Sequence, residues 1–431
     1  MKTNTEDLPM NKKLFTLFFA LILVYCCSQL YARNAFQVDT LKTEQILRKL
    51  QADSNSGDTK AQYELGRRYE RGDGLEEDEE MALYWYKKAA EGGSIPAAER
   101  LSSIYSKATS KVVTLDYVEA EKWCRIAADA GNPSAQNRMG WLYDCGYGGL
   151  EKSYTEAMRW YKLAAENGST TAIANVGNMY LYGRGVEKDY TIARQWIEKA
   201  VNLGNTFACL RMGNIYEYGY GVDSDPVEAF KWYMKGAEKD DCDCQHAVAY
   251  CLRYGKGCEK NTTDAVKWYT KAIDNGREDD WYSLGGLLYD QKLYTEAVQC
   301  FEEAYLRKYS GAATFLGYCF ENGHGVNKDY SKAMQLYKED AEAGYADGYY
   351  YMGRLYEQGH FIPVSSVKEA KEAIKFIKEC YEKGIKAGSK KAENRLKVFE
   401  SKGFTICFQD KKGRKVTYSK GPQGVGLYYG L

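Results

Sequence analysis

The sequence predicts an all-α fold, an α-α superhelix (solenoid) of helical hairpins, with a possible short β-hairpin tail at the C-terminus. Three observations support this prediction. A segment of about 36 residues recurs nine times, with successive openings 32 to 38 residues apart. Each segment carries two stripes of apolar residues at helical spacing, and a Gly-x-Gly turn separates the stripes in most copies. One such segment cannot bury enough apolar surface alone, so neighbouring segments must stack.

Residues 1–32 have the pattern of a signal peptide. Lysines precede an apolar run that ends at Cys27, and the small residue Ala32 stands where a signal peptidase could cut. The run is too short for a helix that spans a bilayer. Lipid attachment requires a small residue immediately before the cysteine, where Tyr25 and Cys26 stand, so lipid anchoring is disfavoured. We therefore expect an exported protein, periplasmic or extracellular, with no transmembrane segment in the mature chain.

Three further regions follow the signal peptide. Residues 33–60 contain "TEQILRKLQAD", which predicts an N-terminal capping helix. Residues 61–396 hold the repeat array of about nine hairpins. Residues 397–431 alternate apolar and polar residues around "DKKGR", a pattern that predicts a short hairpin tail.

The second half of each segment repeats the phrase Ala-x-x-Trp-Tyr-x-x-Ala-Ala. Aromatic side chains bury large areas, and the neighbouring alanines let helices approach closely. The phrase therefore predicts packing between hairpins rather than chemistry. The tryptophans that we place in the core are Trp85, Trp160, Trp196, Trp232 and Trp268.

The charge balance limits the kinds of partner. Lysine plus arginine and aspartate plus glutamate each total 59, so the chain has no net charge to attract polyanions or anionic lipid. We expect a protein or peptide partner and no nucleic acid. The sequence does not indicate an oligomeric state.

The repeated segment resembles the Sel-one-like repeat, a relative of the tetratricopeptide repeat. The resemblance rests on a Leu-Gly-x-x-Tyr first helix, a Gly-x-Gly-Val turn and the second-helix phrase, over about residues 61–346. It implies right-handed superhelices of paired helices that act as adaptors between proteins, and it implies no reaction. The units that open at Ala97 and Asp280 depart from the pattern, the first in its remodelled loop and the second by being four residues short.

The first helix of each unit also presents a face away from the core. With the opening residue as offset zero, offsets 2, 6 and 9 point outward at 100° per residue, and we expect them to line a concave face that binds the partner. The rule includes the less polar Ala174, Leu181 and Thr314. The predicted partner-binding residues are Asn137, Trp141, Asn178, Asn214, His246, Tyr250, Arg253, Tyr282, Tyr318 and Arg354.

The number of cysteines suggests an alternative function, that of a hydrolase. Eleven cysteines remain after signal removal. A cysteine-rich branch of the resembled family, to which penicillin-hydrolysing activity is attributed, pairs cysteines eight positions apart in every unit. No such pairing recurs here, although one disulfide within the cluster from Cys242 to Cys258 stays open. A β-lactamase-like hydrolase is therefore the alternative, and we predict a protein that is not an enzyme.

Other catalytic and metal signals are weak. Ser365-x-x-Lys368 lacks the companion motifs of serine hydrolases of that type. Only His246 lies among the clustered cysteines, whereas a closed zinc site needs four converging ligands. We therefore assign no catalytic residue, no cofactor and no metal ligand.

Overall fold

The computed structural model describes residues 44–107, 112–359, 367–402, 404–409, 415–421 and 424–429. The chain divides into two compact units at the junction of Leu203 and Gly204. The predicted signal peptide lies outside the described residues. The predicted region boundaries at 32, 60 and 396 stay predictions.

The first unit consists of helices joined by short turns. Its helices are α1 (44–55), α2 (Thr59–Arg71), α3 (Glu79–Glu91), α4 (Ile95–Tyr105), α5 (Tyr117–Asp129), α6 (Pro133–Cys145), α7 (Tyr154–Glu166), α8 (Thr170–Tyr182) and α9 (Tyr190–Asn202). The pairs α2–α3, α4–α5, α6–α7 and α8–α9 are hairpins, and the second helix of each of the first three packs against the first helix of the next.

The second unit repeats this arrangement. Its helices are α10 (Thr206–Tyr218), α11 (Pro226–Ala237), α12 (Cys242–Tyr254), α13 (Thr262–Asp274), α14 (Asp280–Asp290), α15 (Tyr294–Leu306), α16 (Ala312–Asn322), α17 (Tyr330–Glu342), α18 (Ala346–Glu357), α19 (Val367–Lys386) and α20 (Lys390–Lys402). Five hairpins run from α10–α11 to α18–α19, and α20 packs on α19. The consecutive pairing confirms the predicted α-α solenoid of helical hairpins.

The turn between the two helices of a hairpin explains the Gly-x-Gly motif. Gly183 ends α8 with a left-handed φ of 66°, and its N–H bonds the carbonyl of Met179. Gly185 is also left-handed, and a Cβ there would lie 2.4 Å from the carbonyl oxygen of Tyr154. The first glycine therefore reverses the chain, and the second lets the loop contact the second helix of the preceding hairpin. Asp189 then begins α9 by accepting a hydrogen bond from the N–H of Ile192.

The cores lie between stacked helices. In the first unit the largest cluster of buried residues includes Tyr86, Leu101, Met139 and Trp160. In the second unit a cluster around Tyr381 and Phe399 joins α18, α19 and α20. Aromatic rings pack between alanines in both units, as the second-helix phrase predicts.

The tryptophan prediction is only partly right. Trp85 and Trp160 are buried, with 3% and 4% of their surface exposed. Trp196, Trp232 and Trp268 are half-buried, and a lysine of the following turn covers each ring at 4.5 to 5.3 Å. These three lie at the rim of the core, where a lysine supplies the cover that a neighbouring helix supplies elsewhere.

The C-terminal tail forms a sheet. Strands β1 (Phe404–Gln409), β2 (Lys415–Gly421) and β3 (Gly424–Tyr429) pair antiparallel in sequence order. Ile406 pairs with Tyr418, which in turn pairs with Leu427. The hairpin predicted for the C-terminal tail is thus present as β1 and β2, and the third strand, β3, extends it. Among the described residues, no helix is long and apolar enough to span a membrane.

Candidate partner-binding site

Two adjoining cavities open on the first helices of the second unit. The first cavity, about 450 Å³, lies between α10 and α12 and is lined by Arg211, Asn214, Glu217, His246, Tyr250 and Lys256, among others. The second cavity, about 470 Å³, lies between α12 and α14. His246 and Tyr250 line both cavities, so the two adjoin along α12.

Helix α12 positions the shared residues. Asp241 caps the helix by accepting a hydrogen bond from the N–H of Cys244, which fixes where the first turn starts. His246 and Tyr250 are four residues apart, and Arg253 follows by three, so all three lie on one face. Cys244 and Val248, on the opposite side of the helix, are fully buried in the core. The sequence rule that selected offsets 2, 6 and 9 captures this geometry.

The carboxylates of the first cavity are already paired. Glu217 accepts a hydrogen bond from the Tyr233 hydroxyl at 2.7 Å, and Lys256 Nζ lies 3.4 Å from its other oxygen. Burial and the bond to Glu217 raise the pKa of Tyr233 above its usual range, so its hydroxyl remains a donor. Asp243 pairs with Arg277.

A buried acid lies behind His246. His246 Nδ1 is 2.6 Å from Asp280 Oδ1, and Asp280 is only 1% exposed. Arg277 Nε stands 3.6 Å from the other oxygen of Asp280. Asp280 therefore fixes the orientation of the His246 ring in the lining of the two cavities.

The second cavity is more aromatic. Tyr282 contacts Phe315 edge-on at 5.3 Å between ring centres and also packs on Phe301. Arg253 donates to the carbonyl of Ser283 at 3.2 Å and to Asp290 at 2.7 Å. Tyr282 and Arg253 line the cavity, but packing and ion pairing already hold both in place.

Five of the ten sequence-predicted residues thus surround the two cavities: Asn214, His246, Tyr250, Arg253 and Tyr282. Tyr250 is the most open of them, at 37% exposed. Of the remaining five, Tyr318 and Arg354 belong to the second unit, and Asn137, Trp141 and Asn178 belong to the first.

Arg354 belongs to a recurring polar contact that we call the Glu–Tyr–Arg bridge. Glu321 accepts hydrogen bonds from the Tyr337 hydroxyl at 2.6 Å and from Arg354 at 2.7 Å. Glu321 is 5% exposed, and Arg354 also lies 5.3 Å from the ring of Tyr318. The same bridge forms in Glu70–Tyr86–Arg100 and in Glu357–Tyr381–Arg395. Arg354 therefore joins helices to one another.

The three predicted binding residues of the first unit differ in the contacts that they make. Asn137 Oδ1 accepts a hydrogen bond from Asn175 at 2.9 Å. Trp141 packs against Tyr117 and Tyr147, whose own rings stack at 4.4 Å. Asn178 Oδ1 is buried and makes no hydrogen bond within the described part of the chain. The outward-face rule fails for Ala174, Leu181 and Thr314, which are 0%, 1% and 1% exposed because neighbouring helices cover them.

Sequence reasoning missed two cations of the first cavity, Arg211 and Arg277. Arg211 stands at offset 3, one position outside the face rule. A signal for it is visible in the sequence, because no acidic residue lies three or four positions away on either side of Arg211.

The ten cysteines from Cys124 to Cys380 are free thiols. Seven are buried, and burial raises the pKa of Cys124 and Cys300 to about 11 and that of Cys251 to about 12. These thiols act as small apolar side chains. Ser365 lies outside the described residues, and within them no group of three or more histidine, cysteine or acidic side chains could hold a metal ion.

Stacked hairpins with cavities on their first helices define a helical-repeat scaffold. A family model for the Sel1 repeat matches residues 59–94, 95–132, 133–169, 170–205, 206–241, 242–276, 310–345 and 346–377. The chain belongs to the Sel1 repeat family. The hairpin α14–α15, which forms one wall of the second cavity, lies between matched ranges.

The chain is also similar to solved structures. A protective antigen present in uropathogenic Escherichia coli strains, which displays an SLR fold, is 30% identical, with 82% of this chain and 74% of that chain covered at a TM-score of 0.51. A Sel1 repeat protein from Oxalobacter formigenes is 30% identical over 55% of this chain and 95% of its own, at a TM-score of 0.48. No curated protein sequence matches the chain.

Proposed function

We propose that this protein is an exported scaffold that binds an extended segment of a protein partner along the two cavities of the second unit. The observation that carries the proposal is the sharing of His246 and Tyr250 between both cavities. A single extended segment could therefore place successive side chains in the first and second cavities without leaving α12.

The lining has the composition of a peptide-binding surface. Tyrosine and arginine are the side chains that contribute most at protein interfaces, because each combines a large contact area with a polar end. The first cavity offers charged groups, and the second offers the rings of Tyr282, Phe301 and Phe315. This division suits a segment that carries one polar and one apolar anchor.

The export part of the proposal rests on the predicted signal peptide at 1–32. An exported scaffold would meet its partner in the periplasm or outside the cell. The proposal assigns no reaction, cofactor or metal ion to the cavities.

The test uses the full mature chain and two random dodecapeptide libraries displayed on phage. One library is fused through the peptide C-terminus, and the other leaves that terminus free. The strongest consensus peptide is then synthesised with a fluorophore and titrated by fluorescence polarisation. We expect Tyr250→Ala to raise the Kd about tenfold, because the variant removes the most open ring common to both cavities.

The matched control is Tyr182→Ala. Tyr182 is 42% exposed and lies at the end of α8 in the first unit. It should leave the Kd unchanged, and both variants should unfold at the wild-type temperature. Equal loss in the two variants, or failure of both libraries to yield a binding peptide, would refute the proposal.

A further inference from the structure

Arg211 is an uncompensated cation in the first cavity. Its guanidinium carbon lies 4.5 Å from the ring centre of Phe207, which holds the side chain against the wall. Its Nε is buried without a hydrogen-bond partner, and Arg211 forms no ion pair with any residue that the structure describes. A buried guanidinium edge without an acceptor is unfavourable unless a ligand supplies one.

Comparable arginines of the array have acidic partners inside the chain, although the Nε atoms of Arg277 and Arg354 are also buried without a hydrogen bond. Arg100, Arg354 and Arg395 each donate to a glutamate of a preceding first helix in a Glu–Tyr–Arg bridge. Arg253 and Arg277 have Asp290 and Asp243. Arg211 differs from all of these because its end of the cavity contains no free carboxylate.

The charged residues of the cavity lining also show that Arg211 has no acidic partner among the described residues. Arg211, Lys256 and Arg277 are positive, whereas Glu217 and Asp243 are negative. Lys256 is near Glu217, and Arg277 pairs with Asp243 and lies 3.6 Å from Asp280, so both of these cations have acidic partners and Arg211 has none in the described part of the chain. A carboxylate would bring one negative charge to Arg211. A doubly charged phosphate would bring a second negative charge close to Glu217 and Asp243, which already have partners.

We propose that the first cavity binds a carboxylate of the partner segment, with Arg211 as its ion-pair partner. Asn214 lies one helical turn further along α10 and lines the same cavity, with its amide group 2.8 Å from the Tyr233 hydroxyl that donates to Glu217. The carboxylate is either an aspartate or glutamate side chain or the terminal carboxyl group of the partner. This inference rests on the proposed function and names the chemistry of its first anchor.

The experiment uses the consensus peptides of the two phage libraries on the full mature chain. An internal acidic side chain is tested by its amide analogue, Asp to Asn or Glu to Gln within the peptide. A terminal carboxyl group is tested by its carboxamide. Whichever change weakens binding identifies the source of the carboxylate.

We expect Arg211→Gln to raise the Kd of the acidic peptide about tenfold or more, because it removes a charge-assisted hydrogen bond in a partly buried site. On the wild-type chain, the Kd of the neutral peptide should be higher than that of the acidic peptide by the same factor. Arg211→Gln should not raise the Kd of the neutral peptide any further. Arg211→Lys should retain part of the affinity. The control Arg159→Gln, a surface arginine of the first unit paired only with Glu156, should bind like the wild type.

The outcomes separate the two proposals. A peptide whose binding depends on Tyr250 but is unaffected by Arg211→Gln overturns the carboxylate site and keeps the proposed function. Tighter binding of a phosphoserine analogue than of the acidic peptide also overturns the carboxylate site. Failure of both libraries to yield a binding peptide overturns both proposals.

Discussion

At the scale of single residues, the Glu–Tyr–Arg bridge gives the hydroxyl groups of Tyr86, Tyr337 and Tyr381 a function that phenylalanine could not supply. The ring of Tyr337 is fully buried, yet its hydroxyl reaches Glu321, whose carboxylate is 5% exposed. The carboxylate then holds Arg354 of the next hairpin. One phenol therefore fills the core and satisfies a buried charge.

This bridge gives a direct prediction for Tyr337→Phe. The variant keeps the ring but removes one of the two donors to Glu321 Oε2, where only Arg354 then remains, so we expect the free energy of unfolding to fall by about 1–3 kcal/mol. Urea unfolding followed by circular dichroism measures the change. The matched control is Tyr305→Phe, whose hydroxyl donates to Glu339 at 2.7 Å on the exposed surface.

The control should lose less than about 0.5 kcal/mol, because water replaces an exposed hydrogen bond at little cost. If both variants lost the same amount, burial of the bridge would contribute nothing. The comparison therefore isolates the effect of burial on an otherwise identical phenol–carboxylate pair.

The sequence predicts the candidate site only where periodicity decides the outcome. His246 and Tyr250 follow from helical spacing alone, because offsets 2 and 6 of α12 lie on the face opposite its buried residues. Arg354 has the right spacing as well, but its partner Glu321 is 33 residues away on another helix. Arg211 was missed because its lack of an acidic partner depends on which residues of neighbouring helices come close to it when the hairpins stack. Helical spacing predicts which way a side chain points, but it does not predict which residues of other helices that side chain contacts.

At the scale of elements, most hairpins follow from local sequence because glycine and capping residues stand at fixed positions. The hairpin α14–α15 is different, since Lys292 adopts a positive φ of 63° in its turn without a glycine. Its aromatic residues, including Tyr282 and Phe301, pack with Phe315 of the next hairpin. The shortened unit was recognisable in the sequence, whereas its contribution of a cavity wall was not.

The turn glycines give the prediction at this scale. Gly185→Ala adds a Cβ at a φ of 67° and only 2.4 Å from the carbonyl oxygen of Tyr154, so both strain and a backbone clash oppose it. Gly168→Ala, in the same unit, adds a Cβ at a φ of 93° with no atom within 4 Å. The second variant therefore isolates the cost of the left-handed backbone.

We expect Gly168→Ala to lower the free energy of unfolding by about 1–2 kcal/mol and Gly185→Ala to lower it by at least about 1 kcal/mol more. Urea midpoints of the two variants measure the difference. Equal midpoints would show that the second glycine of the motif serves only backbone conformation. A lower midpoint for Gly185→Ala would establish close approach between successive hairpins as the reason for the motif.

At the scale of the whole molecule, the same buried groups occur along the entire array. The phrase that builds each hairpin places thiols and phenols in the cores of both units, for example Cys124 in the first and Cys319 in the second. The boundary at Leu203 falls in a turn that resembles the other inter-hairpin turns, which is why the sequence did not predict it. The contributions of these buried thiols and phenols to the free energy of unfolding therefore add up along the chain.

The repeated burial predicts loss of stability in alkaline solution. Burial raises the pKa of Cys124 to about 11 and that of Cys319 and Cys380 to about 12, from an ordinary value of 9.0. Above pH 9 the unfolded chain releases these protons while the folded chain retains them. Unfolding then becomes more favourable as pH rises, by up to about 1.4 kcal/mol per pH unit for each such group. The contribution is fully present below the unfolded pKa and is lost above it.

Urea midpoints at pH 7, 8, 9.5 and 10.5, measured with a reductant present, test this expectation. The midpoint should stay level from pH 7 to 8 and then fall, and buried tyrosines such as Tyr269 should steepen the fall because burial raises their pKa as well. Cys124→Ala removes one thiol, so its midpoint should decline less steeply between pH 9.5 and 10.5 than that of the wild type. A midpoint that held level through pH 10.5 would mean that the thiols ionise equally in both states and are therefore in contact with water. A level midpoint would thus contradict the dry interhelical cores from which the whole array is built.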